Sequence, residues 1–195
     1  MACPKGNTVD GFETQIGTNH FGHFLLVNLL LDKIKASAPS RIVVLSSAAH
    51  KMAKGINFED INSTKSYSAW GAYGQSKLAN ILFARELANR LKAEGINNVY
   101  VGSVHPGVIH TDLGRHMKFS SLFYALGYFF MKSIPQGAAT TTFVATNPSV
   151  LNYPGEYFAD CNLLETTTAG KDLEAAKKLW EYSEKVTGLS KETEN

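Results

Sequence analysis

Charge is scarce in this chain and neither sign dominates: 18% of the residues are Asp, Glu, Lys or Arg, and the formal net charge is +2. The lysines and arginines are scattered rather than clustered, so no nucleic acid is expected among the partners. Cysteine is almost absent. Cys3 and Cys161 form neither a Cys-x-x-Cys pair nor a disulfide framework, which fits a reducing, intracellular compartment. Long apolar runs are missing too. The longest, Phe24 to Leu31 (broken by Asn28) and Leu122 to Met131, fall well short of the ~20 residues that cross a bilayer. Met1 to Asn7 has no apolar core and does not read as a signal peptide. The chain as given is expected to be soluble or at most peripheral to a membrane. Glycine is plentiful, yet its 16 occurrences never fall in Gly-x-Gly-x-x-Gly. No strand-to-helix turn is therefore expected to cradle a pyrophosphate.

What is present is a globular composition, 44% apolar over 195 residues, enough for one domain with a sizeable core. That domain is read as 1–189, with 190–195 a frayed tail. Asp10 is placed to cap a helix beginning near Gly11, and the nearly all-round apolar run Phe24 to Leu31 predicts that this helix is buried between layers. Arg41 to Ser47 reads as a short strand, β-branched and without alternation, as in a fully buried parallel sheet. His50 to Tyr67 is polar and turn-rich, a surface excursion. A helix carrying Tyr73 runs to about Glu94 and ends at Gly95. Asn98 to Val104 is a second buried strand, broken by Pro106-Gly107. A weaker helix-loop region covers His110 to Lys132. Pro135 opens a segment through Thr146, Gly155 to Phe158 is a last strand, and Asp172 to Val186 is an amphipathic helix. The order helix, strand, helix, strand, helix, strand predicts an α/β fold, a parallel sheet with helices on both faces.

One stretch carries chemistry: Gly71-Ala72-Tyr73-Gly74-Gln75-Ser76-Lys77-Leu78-Ala79-Asn80. Tyr73 and Lys77 lie one helical turn apart on the same side. A phenol with pKa near ~10 is a poor proton donor at neutral pH. An ammonium about 5 Å away, at an effective dielectric of about 20, would favour the phenolate by roughly 3 kcal/mol, about two pKa units. Such a tyrosine becomes a usable general acid or base. Tyr-x-x-x-Lys alone is a common pattern; its neighbours raise it. Ligands of parallel α/β sheets sit beyond the carboxyl ends of the strands. Ser46 and Ser47 end the first strand, His105-Pro106-Gly107 ends the second, and the helix between them brings Tyr73 to the same rim.

With Gly17-Thr18-Asn19-His20-Phe21-Gly22-His23-Phe24, Arg41-Ile42-Val43-Val44-Leu45-Ser46-Ser47, Tyr73-Gly74-Gln75-Ser76-Lys77-Leu78-Ala79-Asn80 and His105-Pro106-Gly107-Val108 in this order, the chain resembles the short-chain dehydrogenase/reductases, specifically their retinol dehydrogenase-like group. The resemblance runs from Met1 to about Leu189. It implies the C-terminal part of a doubly wound, Rossmann-like fold and an oxidoreductase. The reaction would be hydride transfer between NADP(H), or NAD, and a retinoid or other apolar alcohol or lipid aldehyde. It makes Tyr73 the general acid/base and Lys77 the residue that lowers its pKa and binds the nicotinamide ribose. Ser47, with Ser46 as fallback, holds the substrate oxygen, and Asn19 supports a relay water. Pro106, Gly107 and Val108 line the nicotinamide pocket, and Thr111 reaches the carboxamide or the phosphates. The excursion His50 to Tyr67 is a feature of that group.

Members of the family begin with a glycine-rich half that binds the adenosine diphosphate end of the cofactor. Nothing in this chain matches it. The expectation is a truncated form, with the strand at Arg41 left as an apolar edge and cofactor binding weak. The alternative is a catalytically inactive interaction fragment, a homodimer through the helices around Phe24 and Leu82. The aromatic patch Phe119, Leu122, Phe123, Tyr124, Leu126, Tyr128, Phe129, Phe130 and Met131 covers the substrate pocket in the family; core packing or a peripheral membrane contact are its other readings. Relatives often sit on endoplasmic reticulum or mitochondrial membranes, though no anchor is read in this chain. His20 and His23 have a metal-pair spacing, but no third ligand stands near, so no metal is expected.

Overall fold

The computed structural model describes residues 1–109, 111–114 and 131–189. The expected helix-loop region and the aromatic patch Phe119 to Phe130 therefore fall mostly outside the described residues, as does the tail from Ser190.

The chain does not enter its first helix at Asp10. Thr8 and Phe12 close a turn on each other, with Gly11 at φ +86°, so the backbone there is not helical. Glu13 caps instead, its carboxylate accepting from the amides of Gln15 (2.8 Å) and Ile16 (2.9 Å), two donors that a helix start leaves unpaired. Helix α1 comprises an α-helical turn Thr14–Ile16, a π-helical turn Gly17–Phe21 and the α-helical stretch Gly22–Ala36. Strand β1 is Ser40–Leu45, helix α2 Ala69–Ala93 and strand β2 Val99–His105. Helix α3, Ile134–Thr146, opens on a capping box between Ser133 and Gln136 with Pro135 in its first turn. Strands β3, Tyr157–Ala159, and β4, Asn162–Leu163, precede helix α4, Leu173–Thr187, which Asp172 caps and Gly188 ends at φ +78°.

The sheet order is β1-β2-β3-β4, with β1, β2 and β3 parallel and β4 antiparallel to β3. Helices cover both faces. Ile42, Val44, Val99 and Val101 pack with Phe24, Phe83, Leu87 and Trp180, and Ile16, Phe21, Leu78, Leu82 and Leu179 continue that layer where α1, α2 and α4 meet. Tyr100, Val104 and Phe158 face the other way, against Val144 of α3 and Val150. Each fully buried Leu, Ile or Phe contributes roughly 1.5–3 kcal/mol of transfer free energy.

Two expectations of complete burial fail for one reason. Strand β1 alternates, with Ile42 and Val44 buried and Leu45 exposed. Helix α1 buries Phe24 but exposes Leu26, Leu29 and Leu30. Both elements stand at the margin, where β1 pairs with β2 alone among the described residues. The excursion after Ser47 is not simply a surface loop: it begins with a 3-10 turn, Ala48–Met52, in which His50 is fully buried.

Candidate active site

Strand β1 ends at Leu45 and the chain passes through Ser46 and Ser47 into that 3-10 turn. Ser47 is extended, at φ −163° and ψ 155°, and caps the turn, its hydroxyl accepting from the Ala49 amide at 3.2 Å. Helix α2 runs directly over it. A Cβ on Gly74 would lie 2.8 Å from the Ala49 carbonyl oxygen, so glycine at that position is what lets helix and turn approach. Tyr73, one residue earlier, is buried, with its phenol close enough to the Ser47 side chain for that hydroxyl to favour the phenolate. The two hydroxyls therefore stand on the same side of the sheet, at the carboxyl ends of its strands.

Burial pushes the Tyr73 phenol above its ordinary value, and the Ser47 hydroxyl opposes this without reversing it. Lys77 is buried, with Nζ 5.7 Å from the Tyr73 ring centroid and 3.2 Å from the Leu45 carbonyl, to which it donates. Desolvation lowers its own pKa to about 8. Burial thus works against the charged form of each group, the phenolate of Tyr73 and the ammonium of Lys77.

A polar chain backs the pair. Asn19, in the π turn of α1, donates through Nδ2 to the Ser76 hydroxyl at 2.9 Å, and Ser76 donates to the Tyr73 carbonyl at 2.8 Å. Asn80 joins Lys77 on the Leu45 carbonyl at 3.0 Å. Ser46 points away from Tyr73, its hydroxyl donating to the Lys77 carbonyl at 2.7 Å; of the two serines, Ser47 is the one that meets the phenol.

Pro106 and Gly107 leave the end of β2 as expected, Gly107 at φ +92°. A Cβ there would meet the Lys132 side chain at 2.7 Å. Val108 and Thr111 are exposed, so Thr111 stands at the rim rather than in the buried cluster. Lys132 forms an ion pair with Asp160, and its amide donates to the Val108 carbonyl at 2.8 Å. Residues that spacing did not reveal are His50, in the 3-10 turn, Lys132, bridged to Ile109 just before α3, and Tyr157, on the short strand β3; none of these places has a periodic signal.

His20 and His23 diverge. His20 is buried, its Nε2 2.9 Å from the Ser183 hydroxyl, and burial drives its pKa down to about 3, while His23 is exposed. Among the described residues no three His, Cys, Asp or Glu side chains cluster as metal ligands would. A groove lined by Arg41, Leu91, Asn98, Tyr100 and Leu151 lies at the opposite ends of the strands and holds none of the site residues.

Residues 4–119 match the short chain dehydrogenase family. The chain is 48% identical over 193 residues to retinol dehydrogenase 14 of Mus musculus, covering 97% of this chain and 57% of that protein. It is 47% identical over 194 residues to the chloroplastic short-chain dehydrogenase TIC 32 A of Brassica napus, covering 95% and 60%. It thus spans little more than half the length of these curated relatives. Among solved structures, an uncharacterized protein from Mycobacterium paratuberculosis superposes with TM-score 0.77 at 36% identity, over 96% of this chain and 63% of that one. An NADPH-bound carbonyl reductase from chicken fatty liver shares the fold, with TM-score 0.54 at 17% identity over 85% and 64% of the two chains. The chain belongs to the short-chain dehydrogenase family, a family of oxidoreductase enzymes, and within it resembles the retinol dehydrogenases.

Proposed function

We propose that this chain is the catalytic part of an NADP(H)-dependent oxidoreductase acting on a retinoid or another apolar alcohol or aldehyde. The observation that supports it is the grouping of Tyr73, Ser47 and a buried Lys77, whose Nζ lies 5.7 Å from the Tyr73 ring centroid, at the strand ends. Tyr73 gives its phenolic proton to the substrate oxygen during reduction and takes it back during oxidation. Ser47 donates to the same oxygen and holds it within reach. Lys77 stabilises the phenolate that remains, and Asn19 supports a relay water from the π turn. When bound, the nicotinamide supplies or accepts the hydride.

The residues present fit the nicotinamide end of such a cofactor. Lys77 keeps a buried ammonium whose one hydrogen-bond acceptor among the described residues is the Leu45 carbonyl, leaving donors for ribose hydroxyls. Pro106 and Gly107 stand at the end of β2, Gly107 against the Lys132 side chain, with Val108 and Thr111 following. Among the described residues no equivalent stands at the adenosine diphosphate end, and the chain spans little more than half the length of its curated relatives, so the activity is proposed for a longer protein that contains it. The choice of NADP over NAD and of a retinoid over another apolar carbonyl rests on the resemblance to retinol dehydrogenases.

The test is reduction of retinal with NADPH by the protein extended to the full upstream reading frame. Tyr73→Phe is expected to lower kcat by on the order of 10²–10⁴-fold while leaving NADPH affinity within a few-fold. An undiminished rate would remove Tyr73 from the chemistry. A second reading, an inactive fragment that pairs through its helices, draws on the exposed Leu26, Leu29 and Leu30 of α1.

A further inference from the structure

We propose that His50 is the positioning residue of this site: its imidazole grips the backbone of Ser47 and thereby aims the serine hydroxyl at Tyr73. The proposal rests on the acid/base reading above for its consequence to turnover, but its geometry stands without it.

The Ser47 carbonyl accepts twice from the same residue, from the His50 amide at 3.1 Å and from the His50 ring Nδ1 at 2.7 Å. A carbonyl oxygen can only accept, so the ring proton sits on Nδ1. The Ser47 hydroxyl is meanwhile pinned by the Ala49 amide. Backbone and side chain of the serine are thus both tied into the turn that His50 closes. The ring itself has little freedom: it is fully buried and packs edge-on against Tyr157, 5.0 Å between centroids at 67°.

The other ring nitrogen is informative. Nε2 has no hydrogen-bond partner among the described residues, and neither has the Tyr157 hydroxyl or Nδ1 of His105. An unpaired buried acceptor typically costs about 1–3 kcal/mol, so an apolar side chain would pack this space more cheaply. What an apolar side chain cannot do is hold the Ser47 carbonyl. Around His50 stand Lys51 on its own turn, Tyr157 on β3 and His105 on β2, with Lys132 and Asp160 beyond His105. Burial lowers the His50 pKa, against the pull of its hydrogen bond to the Ser47 carbonyl, which favours the charged form.

The experiment follows the Tyr73 phenol by NMR in the ligand-free 195-residue chain labelled at the tyrosine ring carbon, with Tyr73→Phe to assign the signal. Ser47→Ala is expected to raise the Tyr73 pKa by about half to one unit, the size of a lost neutral hydrogen bond. His50→Phe is expected to raise it by nearly the same amount, and the double variant no further. His50→Asn, whose amide can donate to the same carbonyl, is expected to keep most of the wild-type value. A folded His50→Phe protein with an unshifted phenol, or shifts that add in the double variant, would overturn the proposal. Should His50→Phe not fold, nitrogen NMR of the wild-type ring decides: a proton on Nδ1 supports it and one on Nε2 overturns it. No cofactor or substrate enters these measurements, so a failure of the enzymatic reading would appear separately, as absent turnover with the titration unchanged.

Discussion

At the scale of single residues, two buried bases, Lys77 in the site and His20 outside it, are held against their hydration preferences. His20 has its pKa lowered to about 3 and Lys77 to about 8, both chiefly by burial. A base with a folded pKa below its unfolded one binds fewer protons when folded, so stability rises with pH through the interval between the two values. The window for His20 runs from about 3 up to 6.5 and that for Lys77 from about 8 up to 10.5. Urea unfolding is expected to show stability falling by several kcal/mol as pH drops through the lower window. Across the upper window it should rise by up to roughly 3 kcal/mol. His23, His50 and His105 are shifted in the same direction as His20, so variants must separate them. His20→Gln should flatten part of the acid slope and Lys77→Met should abolish the alkaline one. Identical slopes in variants and wild type would mean that neither group is desolvated as described.

Among the elements, helix α2 and the 3-10 turn Ala48–Met52 decide whether Tyr73 meets Ser47. Gly74 is their point of contact, and a Cβ there would crowd the Ala49 carbonyl and, at 3.3 Å, Met52. Alanine favours a helix over glycine by about 1 kcal/mol, yet overpacking against backbone costs about 1–3 kcal/mol. Gly74→Ala is therefore expected to lower the unfolding midpoint, with a matching rise in the Tyr73 pKa as the pair separates. A higher midpoint would show that the turn yields freely. This is also where sequence and structure part. The helix, its Tyr73–Lys77 spacing and the strand-end serines are legible because 3.6-residue periodicity and β-branched runs survive in any context. The 3-10 turn is not, because five residues carry no period and His50 stands in a polar stretch. Strand β4 was missed since its turn places Asp160 and Cys161 at φ +51° and +58°, where a glycine or asparagine would have announced it. Asp10 looked like a cap because the turn that places Glu13 instead depends on Thr8 and Asn7.

For the molecule as a whole, the unfilled side is as telling as the core. Strand β1 has one neighbour among the described residues, and Leu45, Leu26, Leu29 and Leu30 stand exposed beside it. An apolar parallel edge invites association. Sedimentation is expected to show concentration-dependent self-association of the 195-residue chain, weakened when Leu29 and Leu45 are replaced with Lys; a monomer at all concentrations would count against the interaction reading. The matched relatives are longer, and under the proposed function this chain holds the part that acts on the reacting carbonyl rather than the part that grips the far end of a dinucleotide. The most direct test titrates the purified chain with NADPH and, in parallel, with reduced nicotinamide mononucleotide, which lacks the adenosine half. Both are expected to bind weakly and within a few-fold of each other. Tight binding of NADPH alone would contradict the account.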